Sequence, residues 1–355
     1  MAYTTINKST LHMNTKLYSG TTNSSDALTG IGFQPDLVWL KSRSNAGWHW
    51  LTDSVRTATK TVYSNESTAE QTNADGVTAF GADGFTIGNN SDINGSGKTF
   101  VSWNWKAGTT GSGTTTGSGT GKAYSYSVNT TAGFSIVKYL GNGTGGHTIP
   151  HHLGAVPKMI MVKRTDSSNN WTVYHVETGN SYGQYLDTTS APVSSNAFWN
   201  NTTPTSTAFA LGDGASVNNS SGTYIAYCFA EITGYSKFGK YTATGSSSIT
   251  PFIYTGFKPK FVILKNMTGT DSWTISDVPR DNIVGAANGA SGARLRADSN
   301  AVEDTNGTWA KIEKYSNGFS PKGNDHVTNG SGETYIYWAI GQSLVGSNNV
   351  PCVAR

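Results

Sequence analysis

Charge is scarce in this sequence: only 13% of its 355 residues are Asp, Glu, Lys or Arg, and 25 basic against 22 acidic side chains leave a formal net charge of +3. No run of Lys or Arg breaks that balance, so the electrostatic footprint of a nucleic-acid-binding protein is missing. Cysteine is nearly absent. Cys228 and Cys352 cannot supply a disulfide framework for a chain of this length. Cys228 sits in a strand-like run and reads as a small core residue, with a Cys228 to Cys352 bridge as the alternative. Nowhere do 18 apolar residues follow one another, and the start, Met1-Ala2-Tyr3-Thr4-Thr5-Ile6-Asn7-Lys8, lacks the apolar segment of a secretory signal. The expectation is a soluble protein made in the cytoplasm, without membrane insertion. Asn-x-Ser/Thr triplets such as Asn129-Thr130-Thr131 and Asn142-Gly143-Thr144 then reflect composition rather than glycosylation.

Also sparse are the Ala, Leu, Glu and Lys that long amphipathic helices need. In their place stand 42 Gly, abundant Ser, Thr and Asn, and 10 Trp, 17 Tyr and 13 Phe. β-branched and aromatic residues favour strands, while Gly, Asn, Asp and Ser favour turns, so the chain reads as short strands joined by many turns.

Three segments align without a gap: Gly32-Phe33-Gln34-Pro35 through Lys41, Gly154-Ala155-Val156-Pro157 through Lys163, and Gly256-Phe257-Lys258-Pro259 through Lys265. Each is Gly-x-x-Pro, an apolar run, and a Lys six residues after the Pro. Gly and Pro suit a turn feeding a strand, and the apolar run suits a buried strand. Upstream, Tyr18, Tyr139 and Tyr241 precede the prolines by 17, 18 and 18 residues, a near-constant spacing that predicts a hairpin of fixed register. Downstream come Trp50, Trp171 and Trp273. Asp53 to Arg56 and Asp277 to Arg280 follow in the first and third copies, where the second has Tyr174-His175-Val176. Each copy closes on an aromatic strand: Phe100 to Trp105, Tyr224 to Phe229, and Tyr335 to Trp338. In the first, Val101, Trp103 and Trp105 share one face and Ser102 and Asn104 the other.

The pitch of 122 and then 102 residues between the prolines is domain-sized, too long for a solenoid unit. The expected fold is all-β: three tandem antiparallel β-sandwich domains, jelly-roll or lectin-like, at 1–107, 123–234 and 235–355, each with its own core. Residues 108–122, rich in Gly, Ser and Thr, read as a linker that is flexible unless pinned against a neighbour. The second and third domains, joined by a short step, should form the stiffer pair. Residues 1–18 read equally as a docking arm or as the first strand.

Candidate sites are few. Trp48 and Trp50 bracketing His49 could form a sugar-stacking platform, although recurrence of a Trp there in every copy favours core packing. Asp53 with Arg56 and Asp277 with Arg280 suit carboxylate–guanidinium pairs bracing a loop, with ligand contact as the alternative. His147, His151 and His152 lack the carboxylate or Cys that would complete a metal site. Asp213-Gly214 and Asp92-Ile93-Asn94-Gly95 lack calcium-loop spacing and read as hairpin turns. Glu66, Glu70, Asp83 and Glu231 could serve a glycosidase, but none falls in a motif or recurs between copies. No catalytic residue, metal or cofactor is assigned.

Through Gly32 to Arg43, Asp53-Ser54-Val55-Arg56, Asp83-Gly84-Phe85 and Phe100 to Gly108 the sequence resembles a family of repeated-module proteins of tailed bacteriophages, common in marine and cyanobacterial phages. Phe134 to Tyr139 and Tyr224 to Glu231 carry the resemblance in the second copy. The third departs most, at Met267-Thr268-Gly269 and Ser320-Pro321-Lys322. The resemblance implies a virion structural protein, tail fibre-like or lectin-like, with no activity. Expected partners are other virion proteins, further copies of the chain, and a host surface glycan. A capsid decoration or cement protein is the first alternative, and a carbohydrate-binding module or glycan hydrolase the second.

Overall fold

The computed structural model describes residues 4–281, 292–305 and 311–345. Among them the strands form six sheets, which fall into three pairs of one large and one small sheet. Each pair is a module, and one strand order recurs in all three large sheets.

In the first module Met13–Ser19 leads, followed across the sheet by the closing strand Thr99–Trp105, the proline strand Leu37–Ser42, Trp50–Asp53 and Lys60–Tyr63. The second repeats this order with Phe134–Leu140, Thr223–Ala230, Pro157–Arg164, Thr172–His175 and Tyr182–Tyr185. The third does so with Ser236–Thr242, Thr334–Gln342, Lys258–Asn266, Thr274–Asp277 and Leu295–Arg296. All neighbours are antiparallel. The predicted hairpin between the tyrosine strand and the proline strand does not form, because the closing strand lies between them. The tyrosines instead stack on its first aromatic: Tyr18 on Phe100, Tyr139 on Tyr224 and Tyr241 on Tyr335, each pair with ring centroids 5.1 Å apart.

The small sheets are Asp26–Thr29, Gly84–Ile87 and Val77–Gly81 in the first module, and His147–Pro150 and Ala208–Leu211 with Thr116–Gly117 in the second. Ile253–Tyr254, Gly318–Lys322 and Lys311–Tyr315 make up the third. Each covers one face of its large sheet. Alternation along the proline strand divides the burial: Val38 and Leu40 join Trp50, Tyr63, Phe85 and Ile87 inside the first module, while Leu37 and Trp39 point the other way. There they meet Trp103, Trp105, Met161, Tyr227, Phe229, Phe261, Ile263 and Trp338 in one core built by all three modules.

The large sheets are thus buried on both faces, which is why their strands read as unbroken apolar runs. Ser102 and Asn104, assigned to the polar face of the closing strand, are buried as well. The expectation of three self-contained cores is therefore incomplete: each module has its own, and a fourth is common to all. Six tryptophans lie in that fourth core, and each fully buried large side chain contributes about 1.5–3 kcal/mol.

The Gly/Ser/Thr run is not a free tether. Thr109–Thr114 is a strand antiparallel to Ala123–Asn129 at the outer edge of the second module's large sheet. The alternating glycines explain it: Gly111 and Gly113 lie opposite Tyr126 and Tyr124, and a Cβ at either would sit 2.6 or 2.9 Å from the tyrosine hydroxyl. Glycine lets each ring lie flat across the neighbouring strand. The first module is not set apart either, since it shares the common core with the other two.

At the amino-terminal end, Met13–Ser19 is the leading strand, and the residues before it reach the third module. Ile6 enters the common core, and the Ser9 amide donates to Gln342 Oε1 at 2.6 Å. Cys228 is buried and unbridged, with its thiol pKa pushed up by burial, and Cys352 lies outside the described residues. No helix among the described residues is long and apolar enough to cross a membrane.

The glycine opening each repeat motif has a left-handed backbone, with φ of 92°, 69° and 81° at Gly32, Gly154 and Gly256. At Gly154 no atom lies within 4 Å of where a Cβ would sit, so only the backbone demands glycine there. Gly154→Ala should cost about 1 kcal/mol, read as a lower denaturant midpoint at unchanged m-value.

Candidate functional site

Three joints connect the modules, and each is built from the repeat motif itself. The Lys that ends every proline strand is fully buried, so its ammonium must find acceptors. It finds backbone carbonyls, at least one of them on the preceding module in the ring. Lys163 Nζ donates to Ser67 O at 3.0 Å and Asn169 O at 2.8 Å, Lys265 Nζ to Thr189 O at 2.7 Å and to Asp271 O, and Lys41 Nζ to Asn300 O at 3.3 Å. Burial lowers the pKa of all three lysines to about 8, against nearby carboxylates that hold it up.

Beside each lysine an aromatic side chain crosses the same joint. The Trp171 indole donates to Tyr63 O and that of Trp273 to Tyr185 O, both at 2.8 Å. In the first module strand pairing places Trp50, not His49, opposite Leu40, where the other modules have Thr172 and Thr274. His49 is therefore the equivalent of Trp171 and Trp273, each lying eight residues after the buried Lys. Its Nδ1 accepts from Trp39 Nε1 at 2.9 Å, and burial, followed by Lys41, pushes its pKa well below the usual value.

The predicted sugar platform is thus largely internal. His49 is wholly buried and Trp50 is 3% exposed; only Trp48, at 37%, meets solvent. A stacking platform needs open ring faces, whereas Trp50 and Trp48 both pack on Tyr63, at 5.3 and 4.8 Å.

The Asp-x-x-Arg corners lie at two of the joints. Arg56 Nε and Asp53 Oδ2 are 2.5 Å apart with almost no exposure, and Tyr227 of the second module donates to the same carboxylate oxygen at 2.8 Å. Burial works against the Arg56 charge, but Asp53, Tyr227 and Glu70 outweigh it and raise its pKa. The third module repeats the device on the first: Arg280 Nε meets Asp277 Oδ2 at 2.5 Å, Trp103 Nε1 donates to that oxygen at 2.9 Å, and the guanidinium lies 5.2 Å from the Trp103 ring. At the third joint His175 replaces the Asp and meets Tyr337 O at 3.1 Å. Trp338, equivalent to Trp103 and Tyr227, has no partner for its indole N–H among the described residues.

One recurring residue lies outside the repeat motif, and its signal is a constant spacing. Asn94, Asn218 and Asn329 each lie six residues before the first aromatic of a closing strand. All three are buried, and their amides bind the carbonyls of Gly88, Gly212 and Gly323. The hydroxyls of Tyr18, Tyr139 and Tyr241 donate to the carbonyl just before each Asn, which locks the leading strand to the small sheet. The two stretches expected as hairpin turns belong to this lock. Ser91–Asn94 and Ala215–Asn218 are single helical turns, the first capped by the Asn90 side chain on the Asp92 amide.

The remaining candidates are dispersed. His147 lies between Asn218 and Thr115, His151 bonds Thr205 O, and His152 stacks on Tyr126 at 3.7 Å. No group of three or more His, Cys, Asp or Glu able to hold a metal occurs among the described residues. Glu70 pairs with Arg56, Asp83 accepts the Gly30 and Gly32 amides, Glu231 accepts the Phe238 amide, and Glu66 accepts from Asn65. These four carboxylates serve separate local contacts rather than one cleft.

A family model described as a domain of unknown function, DUF7483, matches residues 8–343. No curated protein and no solved structure matches the chain.

Two outcomes follow from the joints. Arg56→Ala strands a buried carboxylate and should cost about 3–5 kcal/mol, whereas Tyr227→Phe removes one donor and should cost about 1–2 kcal/mol, both by denaturant titration. The three lysines bind protons less readily folded than unfolded, so between pH 8 and about 10.5 the unfolded chain holds more protons and stability should rise with pH. The buried tyrosines, Tyr139, Tyr227 and Tyr241 among them, have pKa values raised by burial and act in the opposite sense from about pH 10 upward. A thermal midpoint that climbs from pH 8 to about pH 10 and then falls is the expected profile.

Proposed function

This chain belongs to the DUF7483 family, and we propose that it is a structural protein of a tailed-bacteriophage particle, tail- or fibre-associated, that can present an adhesive surface to a host glycan. The observation that carries the proposal is where the repeat motif spends its residues. Its lysines, tryptophans and Asp-x-x-Arg corners are buried at joints between modules, so the feature repeated three times serves to bind the modules to one another. The resemblance of those same segments to repeated-module phage proteins supplies the particle. A body of this kind suits a symmetric assembly of further copies and other virion proteins, and the proposal assigns it no reaction and no cofactor.

Mass spectrometry of purified particles, with labelling of this chain under negative stain, tests the reading. The expected result is the chain in the particle at a few tens of copies or fewer, with label on the tail. Hundreds of copies with label on the head would make it a capsid decoration or cement protein instead. Absence from the particle would overturn both.

A further inference from the structure

The joint between the first and second modules carries an open cleft of about 480 Å³, lined by Ser67 of the first module and by Ser168, Asn169, Asn170, Tyr185 and Phe198 of the second. That volume lies within the range of small-molecule sites. We propose that this cleft binds a neutral sugar. The proposal rests on the adhesive part of the function above and names the site that would serve it, away from the covered tryptophans of the first module.

The chemistry of the lining selects the ligand. No Asp, Glu, Lys, Arg or His lines the cleft, so nothing in it complements a phosphate, a carboxylate or a cation. Its polar groups are amides and hydroxyls, each able to donate and accept, which is what vicinal sugar hydroxyls require. The backbone of Asn169 is committed to the joint, its amide on Ser67 O and its carbonyl on Lys163, whereas its side chain and that of Asn170 have no hydrogen bond among the described residues. Half-buried Tyr185, packed edge-to-face on Phe198 at 6.0 Å, adds the aromatic surface on which the C–H face of a pyranose can rest.

Comparison of the three joints sharpens the assignment. Asn169 corresponds to Asp271 in the third module, since each gives its carbonyl to the buried lysine, and Ser216 at the cleft's edge corresponds to Asp92 in the first. Each of the other two joints therefore has a carboxylate at one of these two places, whereas here both are neutral. The cleft is also held in shape before any ligand arrives. Lys163 and the Asn169 amide fix Ser67, the Trp171 indole fixes Tyr63 O, and Thr172 Oγ1 bonds Ser216 Oγ at 2.9 Å. Preorganisation of this kind lowers the entropic cost of binding.

The test is binding of the purified full chain to a panel of neutral hexose and N-acetylhexosamine oligosaccharides, with sialylated and uronic-acid oligosaccharides beside them, followed by calorimetry on any ligand found. Neutral members should bind and charged ones should not. Asn170→Ala should weaken binding at least tenfold, Ala215→Trp, which fills the cleft from an exposed position, should abolish it, and Trp48→Ala should leave it unchanged, with thermal midpoints matching the parent. Failure of every neutral sugar to bind, binding confined to charged ones, or full binding by Ala215→Trp would overturn the proposal. A chain present in particles that binds no sugar sinks the cleft alone, and a chain that binds sugar but is absent from particles sinks the virion reading alone.

Discussion

A β-sheet that is apolar on both faces cannot be satisfied by one covering layer. Each large sheet here has a small sheet over one face and carries Trp, Phe, Ile or Met on the other, so a module alone would leave that second face in water. The three modules solve the problem mutually by turning the open faces inward onto one core. The polar chemistry is arranged around that requirement. Burying the second face carries the ends of the proline strands inward with it, and their lysines must then find carbonyls on the neighbouring module.

The joints are head-to-tail, so that each module offers one surface to the module before it and a different surface to the one after. Such a heterologous contact closes into a ring when its rotation permits. Three copies close this one. The corners show how far the copies have diverged within that geometry: two keep a buried Asp–Arg pair with a donor from across the joint, and the third has exchanged it for His175 on a backbone carbonyl. A neutral imidazole, its pKa lowered to about 4 by burial, avoids the desolvation cost of an ion pair, but it leaves the facing indole of Trp338 without an acceptor among the described residues.

Much of this was legible in the sequence. The Gly-x-x-Pro motif marked a turn and a buried strand in all three copies, the low content of helix formers marked an all-β chain, and the Asp-x-x-Arg spacing marked a bracing pair. The ring was not legible, because an unbroken apolar strand looks the same whether a small sheet, a helix or another module covers its second face. Nor was the partner of each corner, since Tyr227 lies 171 residues from Arg56. The first tryptophan was placed one position out because residue type pointed to Trp50, whereas His49 holds the place of Trp171 and Trp273, eight residues after the Lys in every copy. The Gly/Ser/Thr run reads as a linker, flexible unless pinned against a neighbour, and its pairing was not legible because composition does not record which ring lies across a strand. The cleft between the first two modules left no motif, being made of Ser and Asn in a chain full of both.

The segment before the leading strand of the first module meets the last module: Ser9 bonds Gln342 on the closing strand there, which adds a further contact to the joint that closes the ring. A ring of three separate identical subunits would have to repeat every substitution three times and would present any surface feature in triplicate. Covalent linkage removes that constraint. Stoichiometry is fixed at synthesis, and one joint can lose an ion pair while another gains an uncharged hollow, with the third unaltered. The protein thus has the packing economy of a trimer and the freedom of a monomer to specialise each side for a different neighbour.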